Sequence, residues 1–385
     1  MHMEVYLDNS ATTRPSQAVV AAMTEALTSG WYNPSALYRP AMEAEKRLTA
    51  AREACLAAAG ANGHKLLFTS CGTEADNMAV LGFLRTVKKP GRVLMMDIEH
   101  PAITSCAQEI VRMGHQVTTI PVTHEGVADV SAMEALMGED VHLICMMQVN
   151  NETGAIQPIA EVVRLRDRIS PKAAIHVDGV QGFLRVPFDF ARSGVQSYAF
   201  SGHKIHACKG VGGLILRRDH RISPIVFGGG QEDGFRSGTE NTPGIIGLGE
   251  AVRTYPKDAA AQMAQRKQLL WELLNERIPG CVLNGPAIGS EASAPHILNV
   301  SLPPVRSQTM LFALEGDGIY VSSGSACSSR KQKVSGVLTA MHVSNQLADC
   351  ALRFSLCPDI TEEAIRYTAE RVAVHYGMLA KYVRR

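Results

Sequence analysis

The sequence predicts an α/β protein in which a mostly parallel sheet is covered by helices and followed by a smaller α+β unit. Three observations carry this. Short apolar runs alternate with helical stretches from residue 65 to residue 216, the rhythm of parallel strands joined by helical crossovers. Polar motifs fall just after several of the apolar runs, where such sheets bind ligands. The alternation changes after Pro256, which breaks one helix before a long polar one begins.

Residues 6–13 start as a short strand and run into a polar turn, and Pro15 opens a helix near 18–27. Asn33-Pro34-Ser35 is a turn. Residues 43–59 are rich in Ala, Glu, Lys and Arg, which favours a helix, and Gly60 to Gly63 ends it. Strands are expected at 65–68, 92–96, 116–120, 142–147, 172–177, 198–200 and 213–216. Helices are expected between them at 75–86, 102–113, 130–137 and 159–169. After a glycine-rich loop come helices at 245–253 and 260–277. Strands at 296–300 and 318–321 and helices at 309–314 and 361–376 complete the chain. The expected boundary lies near 255, with a large domain of residues 15–255. Residues 1–14 and 256–385 form the small α+β domain.

The chain of 385 residues is long enough for a substantial core. A net charge of +1 gives no overall bias toward nucleic acid or an anionic membrane. The N-terminus lacks signal-peptide blocks, and no apolar run reaches the roughly 20 residues that span a bilayer. The nine cysteines show no Cys-x-x-Cys spacing, so a metal centre has no support. Their odd number, without a secretion signal, points to a reducing compartment, read as the cytoplasm.

The chemistry gathers at predicted strand ends. Ser201-Gly202-His203-Lys204 follows the apolar run 195–200 and precedes Lys209-Gly210-Val211-Gly212-Gly213. A lysine held there in apolar surroundings has its charged form disfavoured, the condition for a Schiff-base amine. Ser70-Cys71-Gly72-Thr73 opens a helix and suits a phosphate or a plain N-cap equally. His100 follows another strand and can stack on a ring or move protons. Asn150-Asn151-Glu152-Thr153-Gly154 reads as a polar turn. Asp178 follows an apolar run, so it is a partly buried carboxylate needing a partner, either a backbone cap or a pyridinium nitrogen. Together the set matches pyridoxal phosphate (PLP). It does not match a nucleotide fold, because no Gly-x-Gly-x-x-Gly follows the first strand and no Walker lysine is present. Cys327 lies in a small, polar stretch that reads as an exposed mobile loop. Arg330, Lys331 and Lys333 beside it favour a thiolate. The other eight cysteines read as structural.

These motifs resemble the cysteine desulfurases of the NifS/IscS type, which are class V aminotransferase-like, fold-type I PLP-dependent transferases. The resemblance runs along almost the whole chain. It includes residues 6–13, Thr-Ser-Cys-Gly-Thr-Glu-Ala-Asp-Asn at 69–77, Glu99-His100, residues 150–154 and His-Val-Asp-Gly-Val-Gln at 176–181. It continues through Ser-Gly-His-Lys at 201–204, Arg-Ser-Gly-Thr-Glu-Asn at 236–241, Gly-Ser-Ala-Cys at 324–327 and Leu-Arg-Phe-Ser at 352–355. It implies a homodimer that converts L-cysteine to L-alanine and leaves sulfur on Cys327 as a persulfide. Lys204 would join PLP, Asp178 would face its ring nitrogen, Gln181 its ring hydroxyl, and His100 its face. Gly72, Thr73, Ser201 and His203 would hold the phosphate, with Thr239 reaching it from the other subunit. Asn151 and Arg353 would orient the substrate carboxylate. A protein acceptor, either an iron–sulfur scaffold or a thiolation enzyme, would take the sulfur. The alternatives are another PLP enzyme of this fold, such as an aminotransferase or a selenocysteine or cysteine-sulfinate lyase, and a non-catalytic PLP-binding homologue. The chain departs from the family pattern at Ala207-Cys208, where Gly-Pro is frequent, and at His342, where Gly is usual.

Overall fold

The computed structural model describes residues 3–323 and 335–382. Cys327 and its basic neighbours Arg330, Lys331 and Lys333 lie outside the described residues. Strand β1 (Val5–Tyr6) is followed by helices α1 (Gln17–Thr28) and α2 (Arg39–Ala58). Ser16, not Pro15, caps α1, because its hydroxyl accepts from the Val19 N–H. Next come β2 (Lys65–Thr69), α3 (Gly72–Leu84), β3 (Arg92–Met96) and β4 (Gln116–Ile120). Strands β5 (Val141–Met147), β6 (Ala174–Asp178), β7 (Ser197–Ser201) and β8 (Gly212–Leu216) complete a seven-stranded sheet of order β2-β8-β7-β6-β5-β3-β4.

Strands β7, β6, β5, β3 and β4 pair in parallel, and β8 runs antiparallel to β2 and β7. Successive side chains of a strand point to opposite faces. Ile144 and Met146 of β5 accordingly join one core, and Leu143 and Cys145 join another. With both faces covered, the strands read as continuous apolar runs. The parallel direction brings the ends of β3, β5, β6 and β7 to one edge of the sheet, which is where the polar motifs lie.

A second core forms beyond Pro256. The helix Ala259–Arg277 contributes Leu270 and Leu274, and the helix Glu362–Leu379 contributes Ile365 and Ala369. They pack on a three-stranded antiparallel sheet in which β10 (Ile297–Ser301) lies between β9 (Val282–Leu283) and β12 (Ala351–Ser355). Val5 and Leu7 join this core, and β1 pairs in parallel with β11 (Ile319–Tyr320).

Three local differences from the sequence reading bear on the site. Helix α3 begins at Gly72, three residues before the expected start, because the extended Cys71 is its N-cap. The expected helix at 102–113 is divided into Pro101–Thr104 and Ala107–Arg112, where the Cys106 N–H bonds Ile103, three residues back instead of four. Strand β12 was not expected, because the buried Arg353 interrupts its apolar pattern. No helix among the described residues is long and apolar enough to cross a membrane. The described residues also contain no cluster of three or more His, Cys, Asp or Glu that could hold a metal.

Candidate active site

Strand β7 ends at Ser201, and Gly202–Lys204 makes one 3₁₀ turn at the sheet edge. The turn docks against the N-terminal polar segment, since the Thr13 N–H donates to the His203 carbonyl at 2.8 Å. The Lys204 amine donates to the carbonyls of Ser10 and Ala11. Burial pushes the Lys204 pKa down to about 7, and the nearby positive charges of Arg185 and Arg353 push it the same way. An amine with such a pKa is in large part uncharged near neutral pH, and so nucleophilic.

A cavity of about 260 Å³ opens beside this amine. Its walls include Lys204, His100, Asn151, Asp178, Gln181 and Arg353. Gly72, Thr73, Ser201 and His203 line it as well. Thr239 does not line it and is exposed on the loop that follows Phe227. Cys71 also lines it and is half-buried, which corrects the purely structural reading of that cysteine.

One end of the cavity is built for an anion. Gly72 and Thr73 form the first turn of the 13-residue α3, whose leading N–H groups have no partner within the helix. A Cβ at Gly72 would stand 2.5 Å from Val180 Cγ2, so any larger residue would push Val180 out of place. The Ser201 hydroxyl is buried and, among the described residues, has no hydrogen-bond partner. A buried hydroxyl left in that state costs free energy unless a ligand completes it. His203 is held by a 3.2 Å contact between Nδ1 and the Thr12 hydroxyl, and burial pushes its pKa down to about 3, so the ring is neutral.

Two buried carboxyls, Asp178 and Asp76, also line the cavity, and a third, Glu99, lies near enough to interact with them. Burial pushes all three pKa values up. Two of them have opposing help: the Met147 N–H donates to Glu99 Oε1 at 2.6 Å, and Asp178 accepts the Val180 N–H at Oδ1, 2.9 Å away, with His100 and Lys204 nearby. Asp178 has the most such help of the three, and a negative charge on it raises the other two further. Asp76 lies 3.1 Å from His176 Nε2, and His176 Nδ1 lies 2.9 Å from the Ser197 hydroxyl. Burial lowers the His176 pKa to about 3, so the ring is neutral and this contact is a hydrogen bond and not an ion pair. His100 accepts the Ala102 N–H at Nδ1, 3.1 Å away, so its proton sits on Nε2 in the neutral ring that burial favours.

Arg353 comes to the cavity from β12. It is 1% exposed. Its Nη2 donates to Asp8 Oδ1 at 2.6 Å and its Nη1 to the Asn151 carbonyl at 2.9 Å, while Nε has no partner among the described residues. Truncating a buried ion-pair partner leaves the other charge uncompensated, which costs about 3 kcal/mol or more. Arg353→Ala is therefore expected to unfold at clearly lower urea concentration than wild type, and Asp8→Asn by a smaller shift. Equal urea midpoints for Arg353→Ala and wild type would refute the structural share of this pair.

The departures from the family pattern are absorbed locally. The left-handed residue of the turn after Lys204 is His206, at φ 65°, and not Ala207. Its backbone N–H donates to the Thr13 hydroxyl at 2.8 Å, and its ring contacts the Arg14 carbonyl at 2.9 Å. Ala207 is fully buried, and its N–H reaches the Gly202 carbonyl at 3.1 Å. His342 adopts φ 59°, a conformation glycine takes at no steric cost. Sequence reasoning missed Asp8, Asp76, Glu99 and Arg185. The first three stand inside or beside the motifs, where their burial gives no signal. Arg185 stands four residues after Gln181 in a stretch without acids, which is a signal.

The sheet edge, the buried amine and the anion cradle are the layout of an α/β enzyme that works through a lysine. The family model described as "Aminotransferase class-V" matches residues 5–367. A cysteine desulfurase of Trichormus azollae is 36% identical over 365 residues, covering 94% of this chain and 90% of that one. A cysteine desulfurase IscS of Pectobacterium carotovorum subsp. carotovorum is 37% identical over 391 residues, covering 98% and 94%. A solved structure of a NifS-like protein superposes with a TM-score of 0.91 at 34% identity, over 98% of this chain and 100% of that one. The chain belongs to the class-V aminotransferase family and, within it, to the cysteine desulfurases.

Proposed function

We propose that this enzyme is a PLP-dependent cysteine desulfurase that converts L-cysteine to L-alanine and carries the sulfur on Cys327 as a persulfide. The observation that carries this reading is one cavity uniting a near-neutral lysine amine, the buried carboxyl of Asp178 and a buried arginine fork. The residues fit PLP. The unpartnered Ser201 hydroxyl, the space kept by Gly72 and the start of α3 suit a phosphate. Asp178, buried and accepting the Val180 N–H, suits a protonated ring nitrogen. Gly72, Thr73, Ser201 and His203 hold the phosphate in this reading, and His100, Asp178, Gln181 and Asn151 hold the ring. Lys204 is the point of attachment.

When bound, the cofactor supplies an electron sink for the bonds broken at the amino acid. The arginine fork of Arg353, with Asn151, orients the substrate carboxylate. Lys204 in its uncharged form takes the Cα proton. The Cys327 thiolate attacks the substrate sulfur, so that a sulfur–sulfur bond forms as the carbon–sulfur bond breaks. The carbon fragment keeps the electron pair, is protonated and leaves as alanine. A thiol reductant then releases sulfide and regenerates the Cys327 thiol.

The reading includes a homodimer, in which Thr239 reaches the phosphate of the second copy. The 94% exposed Leu37, the 75% exposed Phe227 and the 66% exposed Trp31 favour it. It also includes the division at residue 255, delivery of sulfur to a protein acceptor in iron–sulfur assembly or thiolation, and a cytoplasmic location supported by the free cysteines.

The test incubates PLP-loaded protein with L-cysteine and dithiothreitol and measures sulfide, alanine and pyruvate. Equal amounts of sulfide and alanine without pyruvate are expected. Amino-group transfer to an added keto acid without sulfide would replace the reading with an aminotransferase.

A further inference from the structure

Arg185 sits directly behind the lysine and is 2% exposed. Its Nη1 donates to Gln181 Oε1 at 2.8 Å. Its Nη2 donates to the Lys204 carbonyl and, at 3.4 Å, to the Asn9 carbonyl. It also hydrogen-bonds the Tyr255 side chain. None of these partners is a carboxylate. Burying a cation without one is costly, and a guanidinium cannot shed its proton to escape the cost. Such a group in a folded chain calls for a return elsewhere.

The surroundings of Lys204 show what that return is. The cations near its amine are Arg185 and Arg353, and the anions are Asp8 and Asp178. Asp8 is engaged by Arg353 at 2.6 Å, so those two charges offset one another. Asp178 stands by His100, and His100 and His203 are held neutral by burial. Among the described residues, Arg185 is the one of the two cations that no carboxylate engages. It also fixes Gln181, whose Nε2 donates to the Ser10 carbonyl at 2.9 Å and keeps one hydrogen for a ligand.

We propose that Arg185 is a positioning residue of this site: its fixed charge opposes a second positive charge on Lys204, while its fork holds the Lys204 carbonyl and the Gln181 amide in place. The proposal deepens the lysine-dependent reading above and rests on it. Among the charges acting on Lys204, that of Arg185 has the largest effect, second only to burial itself.

The test reads Lys204 in the cofactor-free protein, by competitive acetylation across pH with mass spectrometry of its peptide. The wild-type midpoint is expected at about 7. In Arg185→Met and Arg185→Gln it is expected to rise by about one unit or more, the size of a single nearby-charge effect. Arg185→Met removes an unpaired buried charge, a change that folded proteins tolerate or gain from. Tyr255→Phe removes one acceptor and no fixed charge, and is expected to leave the midpoint where it was. A midpoint unchanged in a folded Arg185 variant, or a rise in Tyr255→Phe as large as in the Arg185 variants, would overturn the proposal. A wild type that titrates near 7 but yields no sulfide would sink the desulfurase reading and leave the role of Arg185 intact. A wild type titrating near 10 would overturn that role.

Discussion

Lys204→Ala is expected to fold and yet to release neither alanine nor sulfide from L-cysteine. No other described side chain at the cavity offers an amine uncharged near neutral pH, and His100 and His203 are held in orientations set by the Ala102 N–H and the Thr12 hydroxyl. Loss of a positioned general base alone slows a reaction by about 10² to 10⁴, and loss of the covalent anchor multiplies that. A second readout is independent of turnover. Borohydride treatment with PLP should add the cofactor's mass to the Lys204 peptide in wild type and leave the variant unmodified. Modification at a different lysine in wild type would remove Lys204 from its assigned place.

The same substitution carries a stability signature. The amine titrates at about 7 in the folded chain against 10.5 for a free lysine, and it is almost wholly buried. Between those values the unfolded chain binds the extra proton, so wild-type stability rises with pH through that window. From pH 7 to pH 9 this amounts to about 2 to 3 kcal/mol. Lys204→Ala lacks this contribution. Urea unfolding of both proteins at the two pH values should therefore show wild type gaining on the variant, and a constant difference would disprove the lowered pKa.

Cys327→Ala is expected to bring sulfide release down to background while the protein still takes up PLP and responds spectrally to L-cysteine. The thiol is the atom that accepts sulfur, and no neighbouring group replaces its electron pair. The described residues on either side of it are anchored at the cavity. Ser322 exchanges backbone hydrogen bonds of 3.1 and 2.7 Å with Arg353, and the Ser335 hydroxyl donates to Glu152 at 2.5 Å. Cys327 is four residues beyond Ser323, a span of at most about 14 Å. Burial holds Glu152 with a raised pKa, which suits a carboxyl that shares a short hydrogen bond. Wild-type and variant proteins producing sulfide at equal rates would sink the persulfide route and favour direct elimination.

Much of the fold was legible because burial on both faces leaves a plain trace. The strand at 92–96 and the helix at 159–169 coincide with the observed bounds. Where a buried polar group serves the site, the trace is lost. Arg353 makes β12 look unlike a strand, and Cys71 makes the start of α3 look later than it is. Left-handed backbone at His206 and His342 was equally hidden, because both are residues that take φ > 0 only when hydrogen bonds or packing enforce it.

The sequence by itself determined the alternating α/β architecture, the family, and the order in which Gly72, His100, Asn151, Asp178, Lys204 and Arg353 follow one another at strand ends. Only the tertiary structure decided their charge states and partners. It gathered Asp178, Asp76 and Glu99 as three buried carboxyls, paired Arg353 with Asp8 across 345 positions of chain, and set Arg185 behind Lys204. The reason is physical. Secondary structure follows from local periodicity, which a sequence displays directly. A pKa or an ion pair depends on which distant groups share a region of low dielectric, and that is fixed only when the chain has folded.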